Sequence, residues 1–113
     1  YVRKAASGAR VHSTDMARKV RQHFGDSATF DFSPFRKDGV DFVFVDGSHA
    51  YEYARADSLS AMAMLRGGKG TIVWHDYNGW PGVSQALHHL WRNDARFAGL
   101  RWIRGTTLAI LER

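Results

Sequence analysis

Two short stretches hold the side chains best suited to chemistry. One is Asp46-Gly47-Ser48-His49, which follows the apolar run Val40-Asp41-Phe42-Val43-Phe44-Val45. The other is His75-Asp76-Tyr77-Asn78, which follows Thr71-Ile72-Val73-Trp74. A histidine beside a carboxylate can take a proton from a substrate hydroxyl, so His49 and His75 are the candidate general bases. Two carboxylates and an amide oxygen suit a hard cation such as magnesium, which keeps water and substrate oxygens in its remaining positions. Asp46, Asp76 and Asn78 are therefore the candidate metal ligands.

Both stretches lie where an α/β fold would put them to use. Short, nearly continuous apolar runs read as strands of a parallel sheet buried on both faces. Ligands of open α/β sheets sit beyond the carboxyl ends of such strands. After the first run, Ser48 is a plausible cap and Glu52 falls in the first turn of a helix, where the helix dipole favours an acid. Tyr51, Ala54, Leu59, Met62 and Leu65 recur at helical spacing to about Arg66, where Gly67, Gly68 and Gly70 stop the helix. Pro81 suits the start of a second helix whose apolar face is Val83, Ala86, Leu87, Leu90 and Trp91. Residues 100–104 and 107–111 read as two strands joined by a tight turn at Gly105 and Thr106. Upstream, Ser13 or Thr14 could cap a short helix over residues 15–23, with Met16, Val20 and Phe24 on one face, giving way to a brief strand. Arg36, Lys37, Asp38 and Gly39 read as a surface turn. Strand–helix–strand units imply right-handed crossovers and a parallel sheet, and the last tight turn makes the final strand antiparallel.

Composition narrows the classes. The chain has 113 residues, enough for one small domain over 1–113, and 44% of them are hydrophobic. It has no cysteine, which excludes disulfides and thiolate metal sites. No apolar run approaches membrane-spanning length and no signal peptide is visible, so a cytoplasmic protein with no membrane partner is expected. The net charge of +5 could serve a nucleic acid. The basic residues form no dense run with interleaved aromatics, so a solvated surface is the stronger reading and a nucleic-acid partner is not expected.

Each candidate also has a bland reading. An acid at a strand end is often a turn former, and a lone histidine is more often structural than catalytic. Two acid–histidine pairs at the ends of two strands raise the functional reading above that. His12, His23, His88 and His89 have no such pairing. His88 and His89 are adjacent on a helix and point apart, so they do not form a metal pair. The glycines at 67, 68 and 70 precede a strand, the wrong order for a phosphate loop.

Taken in order, Gly25-Asp26-Ser27, the segment from Val40 through Asp46-Gly47-Ser48-His49-Ala50-Tyr51-Glu52, Leu65-Arg66-Gly67-Gly68 and Ile72-Val73-Trp74-His75-Asp76-Tyr77 resemble the later part of a class I S-adenosylmethionine-dependent methyltransferase. The closest resemblance is to a small group with a DGSH-Y-E segment and a W-H-D-Y strand end, and it covers roughly residues 21 to 113. It implies a partial Rossmann-like methyltransferase sheet, mostly parallel with an antiparallel last strand and with helices on its faces. Gly25, Asp26 and Ser27 match the turn flanking the cofactor's adenine. Asp46 matches an acid of the cofactor site that binds magnesium in metal-dependent relatives. His49 stands where catechol-type relatives place a catalytic lysine, and Asp76 matches a second metal ligand. Tyr77 replaces the next ligand, with Asn78 one place late.

The family's glycine-rich loop has no counterpart here; Gly8 is isolated. The chain is thus expected to be a carboxyl-terminal fragment, weak or inactive alone, whose sheet is completed by a missing amino-terminal segment or by another copy. Without that completion its best strand would expose an apolar edge. The expected function is methyl transfer from S-adenosyl-L-methionine to a small-molecule hydroxyl. The alternatives are a non-catalytic interaction or dimerisation module with a basic surface, and a metal-dependent hydrolase built on the same rim.

Overall fold

The computed structural model describes residue 10 and residues 15–113. Gly8, His12 and the capping candidates Ser13 and Thr14 lie outside the described residues. The chain divides into two units, Tyr1–Phe30 and Asp31–Arg113.

In the first unit a 3₁₀ turn covers Asp15–Lys19, and the chain then runs without helix or strand through residue 24. The expected helix to residue 23 and the brief strand after it do not form. Met16 and Val20 are exposed, so the apolar stripe has no packing to hold it as a helix. Residues 20–24 take no place in the four-stranded sheet of the described residues. The cluster Gly25-Asp26-Ser27 does form a turn. Asp26 Oδ1 accepts from the Ala28 N–H at 2.9 Å, and the Asp26 carbonyl accepts from the N–H groups of Thr29 and Phe30.

The second unit is an α/β layer. Helix α1 (Ser33–Asp38) replaces the expected surface turn; Pro34 sits in its first turn, where a missing N–H costs nothing. Strand β1 (Phe42–Val45) is followed by helix α2 (Tyr51–Met64), strand β2 (Thr71–Trp74), helix α3 (Pro81–Asn93), and strands β3 (Arg101–Trp102) and β4 (Ala109–Glu112). Helix α2 stops before residue 66 because Leu65 turns extended and bridges Val40. Gly67 and Gly68 then take positive φ (59° and 72°), which glycine adopts without a Cβ clash. Arg66 clamps the entry to β1, donating to the carbonyls of Asp38 and Gly39 and to Asp41 Oδ1.

The sheet order is β1-β2-β4-β3, with β1 and β2 parallel and β4 antiparallel to both its neighbours. Three strands thus share a direction and the last in sequence opposes them, a partial Rossmann-like sheet as expected. The last strand inserts between β2 and β3, which a tight 103–108 turn permits. Ile72, Trp74, Ala109 and Leu111 are buried on one face, against Ala54, Ala61 and Met62 of α2 and Val83, Ala86, Leu87 and Leu90 of α3. Burying these side chains supplies the main driving force for the layer. Ser58, fully buried, accepts the Trp74 Nε1–H at 2.8 Å and donates to the Ala54 carbonyl.

Strand β1 is not buried on both faces. Val43 and Val45 pack on the core, but Phe42 and Phe44 are 59% and 48% exposed, because β1 is the edge of the sheet formed by the described residues and helices α2 and α3 pack on the opposite face. Trp91, expected on the buried face of α3, is 51% exposed.

Candidate active site

The parallel ladder between β1 and β2 brings the two acid-bearing stretches together. Register pairs Val45 with Trp74, and the His75 N–H donates to the Val45 carbonyl at 3.0 Å, so Asp46 and His75 leave the sheet side by side. Asp76 stands at the centre of the cluster they form with His49. Its Oδ2 lies 2.8 Å from His49 Nε2 and its Oδ1 lies 2.9 Å from His75 Nδ1. Asp46 Oδ1 is 3.7 Å from the same His75 Nδ1. Asp76 is the most shielded of the four, at 19% side-chain exposure, whereas Asp46 is half exposed.

The contacts within the cluster favour an ionised Asp76. Burial alone would raise the Asp76 carboxyl, but contacts with His75 and His49 outweigh it and hold the group below the ordinary carboxylate range. An ionised Asp76 only accepts hydrogen bonds, so His49 Nε2 is the donor and the neutral ring keeps its lone pair on Nδ1. The His75 pKa is raised, first by its contact with Asp76, with burial opposing and Asp46 adding. His75 Nδ1 is buried, and its 2.9 Å approach to Asp76 Oδ1 lacks the alignment of a full hydrogen bond. A buried nitrogen between two carboxylates, with no hydrogen bond of its own, is an arrangement that a cation would satisfy. The ligand-type atoms of Asp46, His75 and Asp76 all lie within 4.8 Å of one another.

The backbone is shaped to hold this geometry. Asp76 (φ 64°) and Asn78 (φ 70°) both occupy the left-handed region, uncommon for residues other than glycine. The Asp76 carbonyl accepts from the N–H groups of Gly79 and Trp80, folding the loop back over His49. The Trp80 ring stacks on the His49 imidazole at 4.2 Å and 8°. Helix α3 starts hard against the His49 backbone: a Cβ on Gly82 would collide with the His49 carbonyl oxygen.

A family model described as a methyltransferase domain matches residues 2–77. The chain belongs to this methyltransferase family. Neither a curated protein nor a solved structure matches it. The matched span includes the whole rim of the methyltransferase domain from Asp46 to Asp76.

Of the residues singled out in the sequence, His49, Asp46, His75 and Asp76 are brought together. Asn78 is held by its backbone N–H, which donates to Ser84 Oγ, and it does not line the cavity at the rim. The third ligand-type atom beside the two acids is His75 Nδ1 instead. Gly25, Asp26 and Ser27 belong to the first unit, where Asp26 Oδ1 serves its own turn. Sequence reasoning does not single out Trp80 or Gly82 as site residues. Gly82 carries a signal, since a glycine inside the first turn of a helix often marks a close backbone approach. Among the described residues no helix is long and apolar enough to cross a membrane.

Proposed function

We propose that this chain carries the acceptor-activating rim of an S-adenosyl-L-methionine-dependent O-methyltransferase acting on a small-molecule hydroxyl, of the group with DGSH and W-H-D-Y segments. The observation that carries the reading is the His49–Asp76 hydrogen bond at the carboxyl ends of two parallel strands. It leaves His49 Nδ1 as a base whose ring is held at its Nε2 edge by Asp76 and on one face by Trp80.

S-adenosyl-L-methionine, when bound, supplies an electrophilic methyl group on a sulfonium. His49 Nδ1 would take the acceptor's hydroxyl proton as the oxygen bonds to the methyl carbon and the carbon–sulfur bond breaks, the thioether S-adenosyl-L-homocysteine leaving, and Asp76 would stabilise the resulting imidazolium. Asp46, half exposed and 3.7 Å from His75 Nδ1, remains able to accept from a bound ligand. Gly25, Asp26 and Ser27 would flank the adenine, as the resemblance implies. The donor set of Asp46, Asp76 and His75 fits a divalent cation. Magnesium suits the carboxylates, and the imidazole also admits manganese or zinc. Such an ion would polarise the acceptor oxygen. The half-exposed Phe42 and Phe44 on edge strand β1 favour a sheet completed by another segment or a second copy. A non-catalytic module gives no account of the strained Asp76 or of the buried, unsatisfied His75 nitrogen.

The test is transfer of a radiolabelled methyl group, by the whole natural polypeptide, to a panel of phenols, catechols and sugars with and without magnesium. Label is expected in a hydroxyl compound, with His49→Ala slowing transfer by about 100-fold or more. Undiminished rates in both His49→Ala and Asp46→Ala would remove the assignment, and transfer to nitrogen or carbon alone would overturn the O-methyl reading.

A further inference from the structure

The structure holds a second cavity, of about 220 Å³, whose lining includes none of Asp46, His49, His75 and Asp76. Its floor is Ala109, and its walls include Tyr77, His88, Trp91 and Trp102. The cavity arises from a mismatch of side-chain size. In register across the sheet, Ala109 stands between Trp74 and Trp102, so a small residue separates two large ones on one face. Helix α3 then places Trp91 and His88 around the gap instead of filling it. Trp91 and Trp102 remain 51% and 46% exposed, although each carries enough apolar surface to be buried.

We propose that this cavity binds one neutral phenol-type ring. Its volume exceeds that of an apolar cavity known to hold a benzene ring, roughly 150 Å³, by about the room a small substituent needs. Its aromatic walls favour a flat π-system over a saturated ring. The Trp102 wall is fixed, because its Nε1–H donates to the Thr106 carbonyl at 2.7 Å. At another wall the Tyr77 hydroxyl and His88 Nε2 are 2.9 Å apart. If tyrosine donates, its oxygen can accept from a ligand hydroxyl; if histidine donates, the tyrosine proton is available to one. Either arrangement recognises a hydroxyl. Among the described residues the only charged one in the wall, Arg101, is already paired with Glu112, so the cavity rewards neither a bound anion nor a bound cation.

The experiment is a titration of the chain with phenol, cyclohexanol and methyl glucoside, followed through the indole N–H signals of Trp91 and Trp102 by NMR. Phenol is expected to shift both signals saturably in the millimolar range, with cyclohexanol and the glucoside about fivefold weaker or worse. Ala109→Leu, which fills the floor, is expected to abolish the shifts. Trp91→Leu, at a half-exposed helix position that leaves the fold intact, is expected to weaken phenol about fivefold. Equal affinity for phenol and cyclohexanol, tighter binding of the glucoside, or an unchanged phenol affinity in Trp91→Leu would each overturn the proposal, the last even if Ala109→Leu fails to fold.

Discussion

Asp76 and Asp94 are shielded to nearly the same degree, with side-chain exposures of 19% and 21%, and both have carboxyls held below the ordinary range. They are used in opposite ways. Asp94 caps the 3₁₀ turn Ala95–Phe97: its Oδ1 accepts from the Arg96 N–H, and both oxygens accept from the Arg96 guanidinium. Its partner is a permanent cation two residues away, and the turn it caps buries Phe97 completely. Among the described residues no permanent cation pairs with Asp76. It is shared by two titratable rings from distant parts of the chain and sits on a strained backbone. An acid matched to arginine inside a satisfied cap stabilises a turn. An acid shared by two histidines, one of them with an unsatisfied buried nitrogen, is the arrangement on which the proposed proton transfer and cation binding rest.

The largest effect should separate the two acids by function. In a methyl-transfer assay, Asp76→Ala is expected to lower turnover by about 100-fold, because His49 loses the partner that orients it. Asp94→Ala should leave turnover per folded molecule unchanged. Comparable losses in both would erase the distinction.

Stability should separate them the other way. Asp94→Ala is expected to cost about 1–2 kcal/mol in urea unfolding, the usual range for a lost cap with a charged partner. Asp76→Gly relieves the left-handed backbone but loses two histidine contacts, so the opposing effects should leave stability changed by less than about 1 kcal/mol. A clear drop in Asp76→Gly would mean that Asp76 is a structural acid after all.

The smallest effect is in the pH dependence. The Asp94 carboxyl is lowered, so its contribution is present above the ordinary carboxylate range and lost as pH falls through the depressed value. The His75 pKa is raised, so its contribution is full below the ordinary histidine value and lost as pH rises through the elevated one. Between about pH 5 and about pH 9, the stability gap to Asp94→Asn should stay flat while the gap to His75→Gln shrinks on the alkaline side. A His75→Gln gap that grows with pH would reverse the sign and contradict the assigned contact.

Much of the fold and the site is legible in the sequence, for local reasons. The apolar runs ending in Asp46 and His75-Asp76 announce strand ends, and Pro81 with its periodic apolar residues announces α3. The features that escape depend on distant partners. Phe42 and Phe44 read as core because they are apolar, but their exposure follows from β1 lying at the edge. The position of β4 between β2 and β3 is a matter of sheet order, which no local pattern encodes. Nothing near His49 in sequence says that Asp76, 27 residues away, is its partner, nor that Trp80 covers its ring. His75, not Asn78, joins the two acids because the β1–β2 ladder continues one residue past Trp74.

The central claim is that Asp76 holds His49 as a base with its lone pair on Nδ1. Long-range proton–nitrogen NMR of the imidazoles, at a pH where the His49 ring is neutral, reads this directly. The wild type is expected to show His49 protonated on Nε2 and bare on Nδ1, with that preference lost in Asp76→Ala. A proton on Nδ1 in the wild type, or a tautomer indifferent to Asp76→Ala, would contradict it.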